Sequence, residues 1–220
     1  MTKKLLASEE NREALLALLQ REMGSRSSHE WKEPGNKYEH GIRSAKLVLR
    51  LRDLIFPGTE DPSLAPEILT AAAWFHDICN GQEEHENHEE AGAVLLGKLL
   101  APYCTPEELS AVCAIVRLHD HRTPEPEKTL PDAVKLVQDA DMLDHLGTYD
   151  VWITISEFTY RHKTPMDYAV QFRNGAFDRF ASGWRCRINY PESLAIFDEK
   201  IAYERAFAER MLRELDGEIQ

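Results

Sequence analysis

Apolar positions along this chain recur mostly with the 3.6-residue period of helices, and glycines and prolines punctuate the runs. The first stripe, Leu5, Leu6, Leu15, Leu16, Leu18 and Leu19, predicts a helix from Lys4 to Met23, closed by Gly24. After a loop over Ser25–His29 and a Pro34-Gly35-Asn36 turn, a second helix is predicted from near Tyr38, through Ile42, Ala45, Leu47, Val48 and Leu51, to Phe56-Pro57-Gly58. Asp61-Pro62-Ser63 introduces a third, whose alanine-rich run ends in adjacent His76 and Asp77 just before an Asn80-Gly81 breaker. Beyond the acidic loop Gln82 to Asn87, a fourth helix is expected from near His88 to Leu100, and a fifth from Glu107 to His119. Arg122 to Pro131 reads as a surface loop; Asp132 caps a sixth helix, Ala133 to Leu146, which ends at Gly147. Tyr149 to Tyr160 carries strand-forming Val151, Ile153, Thr154, Ile155 and Thr159, yet its helical surroundings assign it to helix. In the last helix, Glu192 to Leu215, Glu204 and Arg205 interrupt a stripe of Leu194, Phe197 and Ile201 that resumes at Ala208 and Met211. The expected fold is all-α.

Composition narrows the picture. At 220 residues and 43% apolar content the chain can bury a core without staples, as one domain. The four cysteines, Cys79, Cys104, Cys113 and Cys186, show no C-x-x-C spacing and are read as reduced core residues. A charged N-terminus without a leader, and no stretch near the ~20 apolar residues of a membrane span, predict a cytoplasmic protein with no membrane partner. A net charge of -12 argues against a polymeric nucleic-acid partner, which would draw on clustered Lys and Arg. A small phosphorylated substrate stays compatible, because a bound cation inverts the field locally.

Helical phase points to chemistry. His76 continues the stripe of Leu69, Ala72 and Ala73, and His119 continues Val112, Ile115 and Val116 at the same offsets. Asp141 shares a face with Val134 and Val137, and His88 one with Ala91, Gly92, Leu95 and Leu99. A carboxylate buried without a partner costs several kcal/mol or neutralises. Several such groups on inward faces of different helices call for one shared counter-charge, and a metal cation supplies it. Adjacent helical residues point ~100° apart, so His76 and Asp77 reach one ion only from its flank. Other helices must complete the set, and His40 and Asp141 are the candidates. His145 lies one turn beyond Asp141 and is a candidate support for it, whereas His29, His85, His121 and His162 read as solvated.

His40 with Arg43 three residues on, the His76-Asp77 doublet, and Gln138-Asp139-Ala140-Asp141-Met142-Leu143-Asp144 resemble the H…HD…D signature of the HD-domain metal-dependent phosphohydrolases. The resemblance covers roughly Tyr38 to Gly147. It implies an HD-type bundle at residues 38–147, with residues 1–37 packed on it and residues 148–220 as a C-terminal helical elaboration of the same domain. It implies that His40, His76, Asp77 and Asp141 bind a divalent ion, Mn²⁺, Mg²⁺, Co²⁺, Ni²⁺, Zn²⁺ or Fe, with Mn²⁺ favoured. His88 and His119 match positions that bind a second metal, or contact substrate phosphate, in other members.

The implied reaction is hydrolysis of a phosphoester or phosphoanhydride by metal-activated water, with Asp77 or Asp141 accepting hydrogen from that water. Arg43 is a candidate phosphate clamp, against a salt bridge to Glu39 or a loop acid; Lys46 and Arg122 read as surface positions. Some relatives carry an acid shortly after the doublet where this chain has Asn80, so Glu83 or Glu84 are candidates for that role. The D-A-D-x-L-D block and the trailing helix with Glu204, Arg205 and Arg210 resemble small bacterial stand-alone HD hydrolases of nucleotides. Two other outcomes are compatible with the ligand pattern: a di-iron oxygenase of the same fold, and a non-catalytic metal- or nucleotide-binding regulatory module. Tyr203 and Phe207 on the last helix could serve a homodimer.

Overall fold

A computed structural model of the chain describes residues 5–6, 8–81, 87–122 and 130–218. Among these residues it contains α-helices, one 3-10 turn at Pro62–Leu64, and no strand, as the apolar periodicity predicts. Among the described residues, no helix is long and apolar enough to cross a membrane. The chain divides into two compact units, residues 1–144 and 145–220.

The first unit holds α1 (Glu9–Met23), α2 (Asn36–Ile55), α3 (Pro66–Phe75), α4 (His88–Leu99), α5 (Pro106–Leu118) and α6 (Asp132–Asp144). Helix α1 starts five residues later than its leucine pattern suggests, because Ser8 caps it by accepting from the Asn11 N–H. Leu5 is nonetheless buried ahead of the helix, its N–H bonded to Glu108. Helix α5 opens on a capping box between Thr105 and Glu108, with Pro106 in the first turn.

Helix α3 is apolar nearly all round, and it packs against α2, α5 and α6. Its alanines let α2 come close at Gly41, where an added Cβ would lie 2.5 Å from the Trp74 carbonyl oxygen. That contact brings His40, next to Gly41, opposite His76, the C-cap of α3. Gly41→Ala is therefore expected to destabilise the protein by at least about 2 kcal/mol through overpacking against rigid backbone, and to weaken ion binding as the two imidazoles separate. Thermal melts and metal titration of the variant check both effects.

The second unit holds α7 (Thr148–Tyr160), α8 (Pro165–Arg173), α9 (Ala176–Arg185) and α10 (Pro191–Leu215), with α10 touching the other three. Helix α7 is a helix despite its β-branched residues. The sequence reading places no helix at α8 or α9, although the Thr164–Asp167 capping box with Pro165 marks the start of α8 and Phe177, Phe180, Ala181 and Trp184 share one face of α9. On α10 the buried positions are Ser193, Phe197, Ile201, Glu204 and Ala208. Glu204 thus lies on the buried stripe and does not interrupt it, a correction to the pattern read from sequence. All four cysteines are free thiols; Cys79 and Cys104 are buried, but Cys113 is half-buried and Cys186, at the end of α9, is exposed, so neither is a core residue.

Candidate metal centre

Two helices of the first unit end on a histidine. His76 caps α3 and His119 caps α5, and each Nδ1–H donates back to the carbonyl three residues earlier, Ala73 at 2.9 Å and Val116 at 2.7 Å. Each bond satisfies a carbonyl that the last turn would otherwise leave open, and it turns the Nε2 lone pair away from the helix. His40 sits inside α2, where the carbonyls are already bonded, so its Nδ1 uses Asp144 of α6 at 2.8 Å. Arg43 holds that carboxylate with two parallel bonds, Nε to Oδ1 at 2.9 Å and Nη2 to Oδ2 at 2.8 Å. A carboxylate behind an imidazole fixes its tautomer and raises its basicity.

The Nε2 atoms then converge. His40 Nε2 lies 3.1 Å from His76 Nε2 and 3.0 Å from Asp141 Oδ1, and His76 Nε2 lies 3.5 Å from that same oxygen and 3.8 Å from Asp77 Oδ2. Bond lengths of about 2.0–2.2 Å to a divalent ion put neighbouring ligand atoms roughly 3.0–3.6 Å apart. With both Nδ1 atoms committed outward, the two facing Nε2 atoms and Asp141 Oδ1 are placed to share either the His40 proton or a cation that displaces it. His40, His76 and Asp77 form one group of donors able to hold an ion.

Asp77 is shared with a second group. Its Oδ1 faces His88 Nε2 at 3.9 Å and His119 Nε2 at 3.8 Å, and the three residues are again close enough to hold an ion. The turn carrying Asp77 is fixed from both sides. Asn80 Nδ2 donates to Asp77 Oδ1 at 2.8 Å, and Arg26 donates to the Ile78 and Asn80 carbonyls. Asn80 therefore orients the carboxylate.

Two cations complete the cluster. Lys37, at the start of α2, pairs with Asp77 Oδ2, and both side chains are buried. Arg122 pairs with Asp141 Oδ2, and its side chain is only 12% exposed, which corrects its expected surface position. Burial acts to raise the Asp77 carboxyl, but Lys37 and the surrounding imidazoles outweigh it and hold the group well below its usual range. Asp144 is likewise lowered against its burial by His40 and Arg43. Burial alone would lower His40, but its bonds to Asp141 and Asp144 raise it to about 9. His119 is raised in the same way, its burial outweighed by Asp77.

The raised His40 value sets a sign for pH dependence. A group whose folded value is raised stabilises fully below its unfolded value near 6.5 and loses that contribution as pH climbs toward about 9. Protein stripped of divalent ions with a chelator is expected to melt at lower temperature as pH rises through this window. Ion affinity should rise over the same range, since the ion must displace the His40 proton. Melting curves with and without Mn²⁺ at several pH values check both slopes.

Of the residues singled out in sequence, the structure brings together His40, His76, Asp77, His88, His119 and Asp141. It places Arg43 on Asp144, not on Glu39. His121, His29 and His162 face solvent and Lys46 is exposed. Glu83, Glu84 and His85 lie outside the described residues. Sequence reasoning missed Lys37, whose only signal is its place one turn before His40, and gave no role to Asp144, one turn after Arg43's partner face begins at Asp141.

Residues 38–146 match the family model described as HD domain. No curated protein matches the chain. Among solved structures it resembles a predicted HD superfamily hydrolase from an uncultured Thermotogales bacterium, at 16% identity and a TM-score of 0.60 over 92% of each chain. An HD-superfamily hydrolase from Bacillus thuringiensis matches at 19% identity and a TM-score of 0.64, over 94% of this chain and 98% of the other. A protein from Lactobacillus plantarum matches at 19% and 0.61, over 96% of this chain and 100% of the other. At these identities the likeness is one of fold. The family match on residues 38–146, which contain every member of the His/Asp cluster, makes this chain an HD-domain protein.

Proposed function

We propose that the protein is a metal-dependent phosphohydrolase acting on a nucleotide or a related small phosphorylated compound. The observation that carries this reading is the convergence of His40, His76 and Asp141 donor atoms within 3.0–3.5 Å of one another, with Asp77 beside them. These four residues would hold the divalent ion, for which Mn²⁺ is the first choice. When bound, such an ion polarises a phosphoryl oxygen and lowers the pKa of water.

The chain's own residues supply the rest. Lys37 helps hold Asp77 ionised and Arg122 pairs with Asp141, and either carboxylate would accept a proton from the attacking water. Arg122 Nε lies 3.5 Å from Asp120 Oδ1 and, among the described residues, makes no hydrogen bond, so it would be a donor for a substrate oxygen that displaces Asp120. His88 and His119 present Nε2 toward Asp77 Oδ1, where they serve a second ion or the phosphate. Arg43 acts by positioning: engaged on Asp144, it fixes the tautomer of His40.

Elemental analysis of purified protein, together with phosphate and pyrophosphate release from a nucleotide panel with Mn²⁺, tests this reading on wild type and Asp77→Ala. One or two ions per chain and turnover lost in the variant are expected. Two irons with oxygen consumption and no phosphate release would replace it with the oxygenase chemistry, and ion binding without any turnover would leave a regulatory module.

A further inference from the structure

The second unit contains a cavity of about 330 Å³ between α7, α8, α9 and α10, built from residues that the metal centre does not use. Tyr168, Phe172, Phe177 and Phe180 provide aromatic walls, and Glu204 and Asp150 provide carboxylates. Phe172 and Phe177 lie with ring centroids 5.4 Å apart. Glu204 is the unusual member. It sits on the buried stripe of α10 and is 2% exposed, yet only its Oε1 is used, accepting the Gly147 N–H. Oε2 is buried and, among the described residues, has no hydrogen-bond partner.

An unpaired carboxylate oxygen away from water is costly, and native structures seldom leave one without a reason. The basic neighbours do not supply the partner. Lys200 Nζ donates to the Leu146 carbonyl at 3.1 Å, and Arg205 is paired with Asp178 while its guanidinium lies 5.1 Å over the Phe177 ring. The Arg205–Phe177 contact shows that an aromatic ring of this wall already faces one cation.

We propose that this cavity binds a small organic ammonium ion, a primary amine carrying a short apolar or aromatic chain, whose N–H donates to Glu204 Oε2 while its body packs on the aromatic wall. An N–H cation fits better than a quaternary one, because the orphaned oxygen needs a donor. The rings add attraction of their own, through cation–π contact and apolar burial. The volume is at the lower end of small-ligand sites, which restricts the ligand to a short chain. Burial pushes the Glu204 carboxyl up to about 7, against the opposing Gly147 N–H, so an incoming cation is what allows it to hold its charge near neutrality.

Calorimetric titration of the full chain with 2-phenylethylamine and with its neutral isostere 2-phenylethanol tests the inference. One amine per chain is expected, bound at least about tenfold tighter than the alcohol, the difference a charged hydrogen bond makes. Glu204→Gln keeps an acceptor for Gly147 and should bring the amine down to the affinity of the alcohol. Phe177→Leu, which keeps the carboxylate, should weaken the amine several-fold. Equal binding of amine and alcohol to wild type, binding of neither, or an amine preference that survives Glu204→Gln would each overturn the proposal. The last result would assign the amine to the acidic surface of the chain.

Discussion

Asp77→Ala is expected to lose its divalent ion and at least about 10³-fold of its phosphohydrolase rate, corresponding to roughly 4 kcal/mol of transition-state stabilisation. Asp77 is the residue on which the cluster turns. Its Oδ2 faces His76 and its Oδ1 faces His88 and His119, so one truncation removes an oxygen from both donor groups. The Asn80 side chain nearby cannot replace it, since it offers Asp77 a donor and carries no charge. The variant also leaves Lys37 buried with no counter-charge. For that reason a circular-dichroism melt must accompany the assay: a folded protein without metal and without turnover supports the assignment, while a folded protein that keeps full metal content and turnover would sink it.

Lys37→Met separates stability from ion binding and should move them in opposite directions. The lysine and Asp77 form an ion pair with side chains only 6% and 7% exposed, and breaking a buried pair costs about 3–5 kcal/mol because the surviving charge is left unpaired. In chelator-treated protein the variant should therefore melt well below wild type. Lys37 engages the same Asp77 oxygen that faces His76, so it competes with an ion for that ligand. Removing the competing charge should tighten Mn²⁺ by at least roughly tenfold, since even about 1.4 kcal/mol of relieved repulsion suffices. Saturating Mn²⁺ should then recover most of the lost melting temperature. Ion affinity left unchanged by the substitution would show that Lys37 serves packing alone.

Much of the architecture was legible before any coordinates. Helix positions follow the apolar period, while Ser8, Asn87, Thr105 and Thr164 cap as their residue type prefers although the sequence reading named none of them. The inward phase of His76, His119 and Asp141 follows from the same 3.6-residue period that marks the core. Where the reading failed, the deciding contacts were remote in sequence. Arg122 looked like a loop cation until α6 brought Asp141 to it, and Lys37, just ahead of the expected start of α2, drew no notice until the turn after α3 delivered Asp77. Glu204 broke an apolar stripe on paper because a single helix does not reveal what its neighbours leave unfilled.

The sequence by itself determined an all-α chain and the set of histidines and aspartates that face inward, because periodicity, caps and side-chain type are local properties of the backbone. Only the tertiary structure decided which nitrogen of each imidazole points into the cluster, which cations pair with the aspartates, and where a carboxylate oxygen is left without a hydrogen bond. Those are matters of distance between segments as far apart as Lys37 and Asp77, or His40 and Asp144. Charge and hydrogen-bond energies depend on distances of a few ångströms and on burial, and helix packing alone sets both.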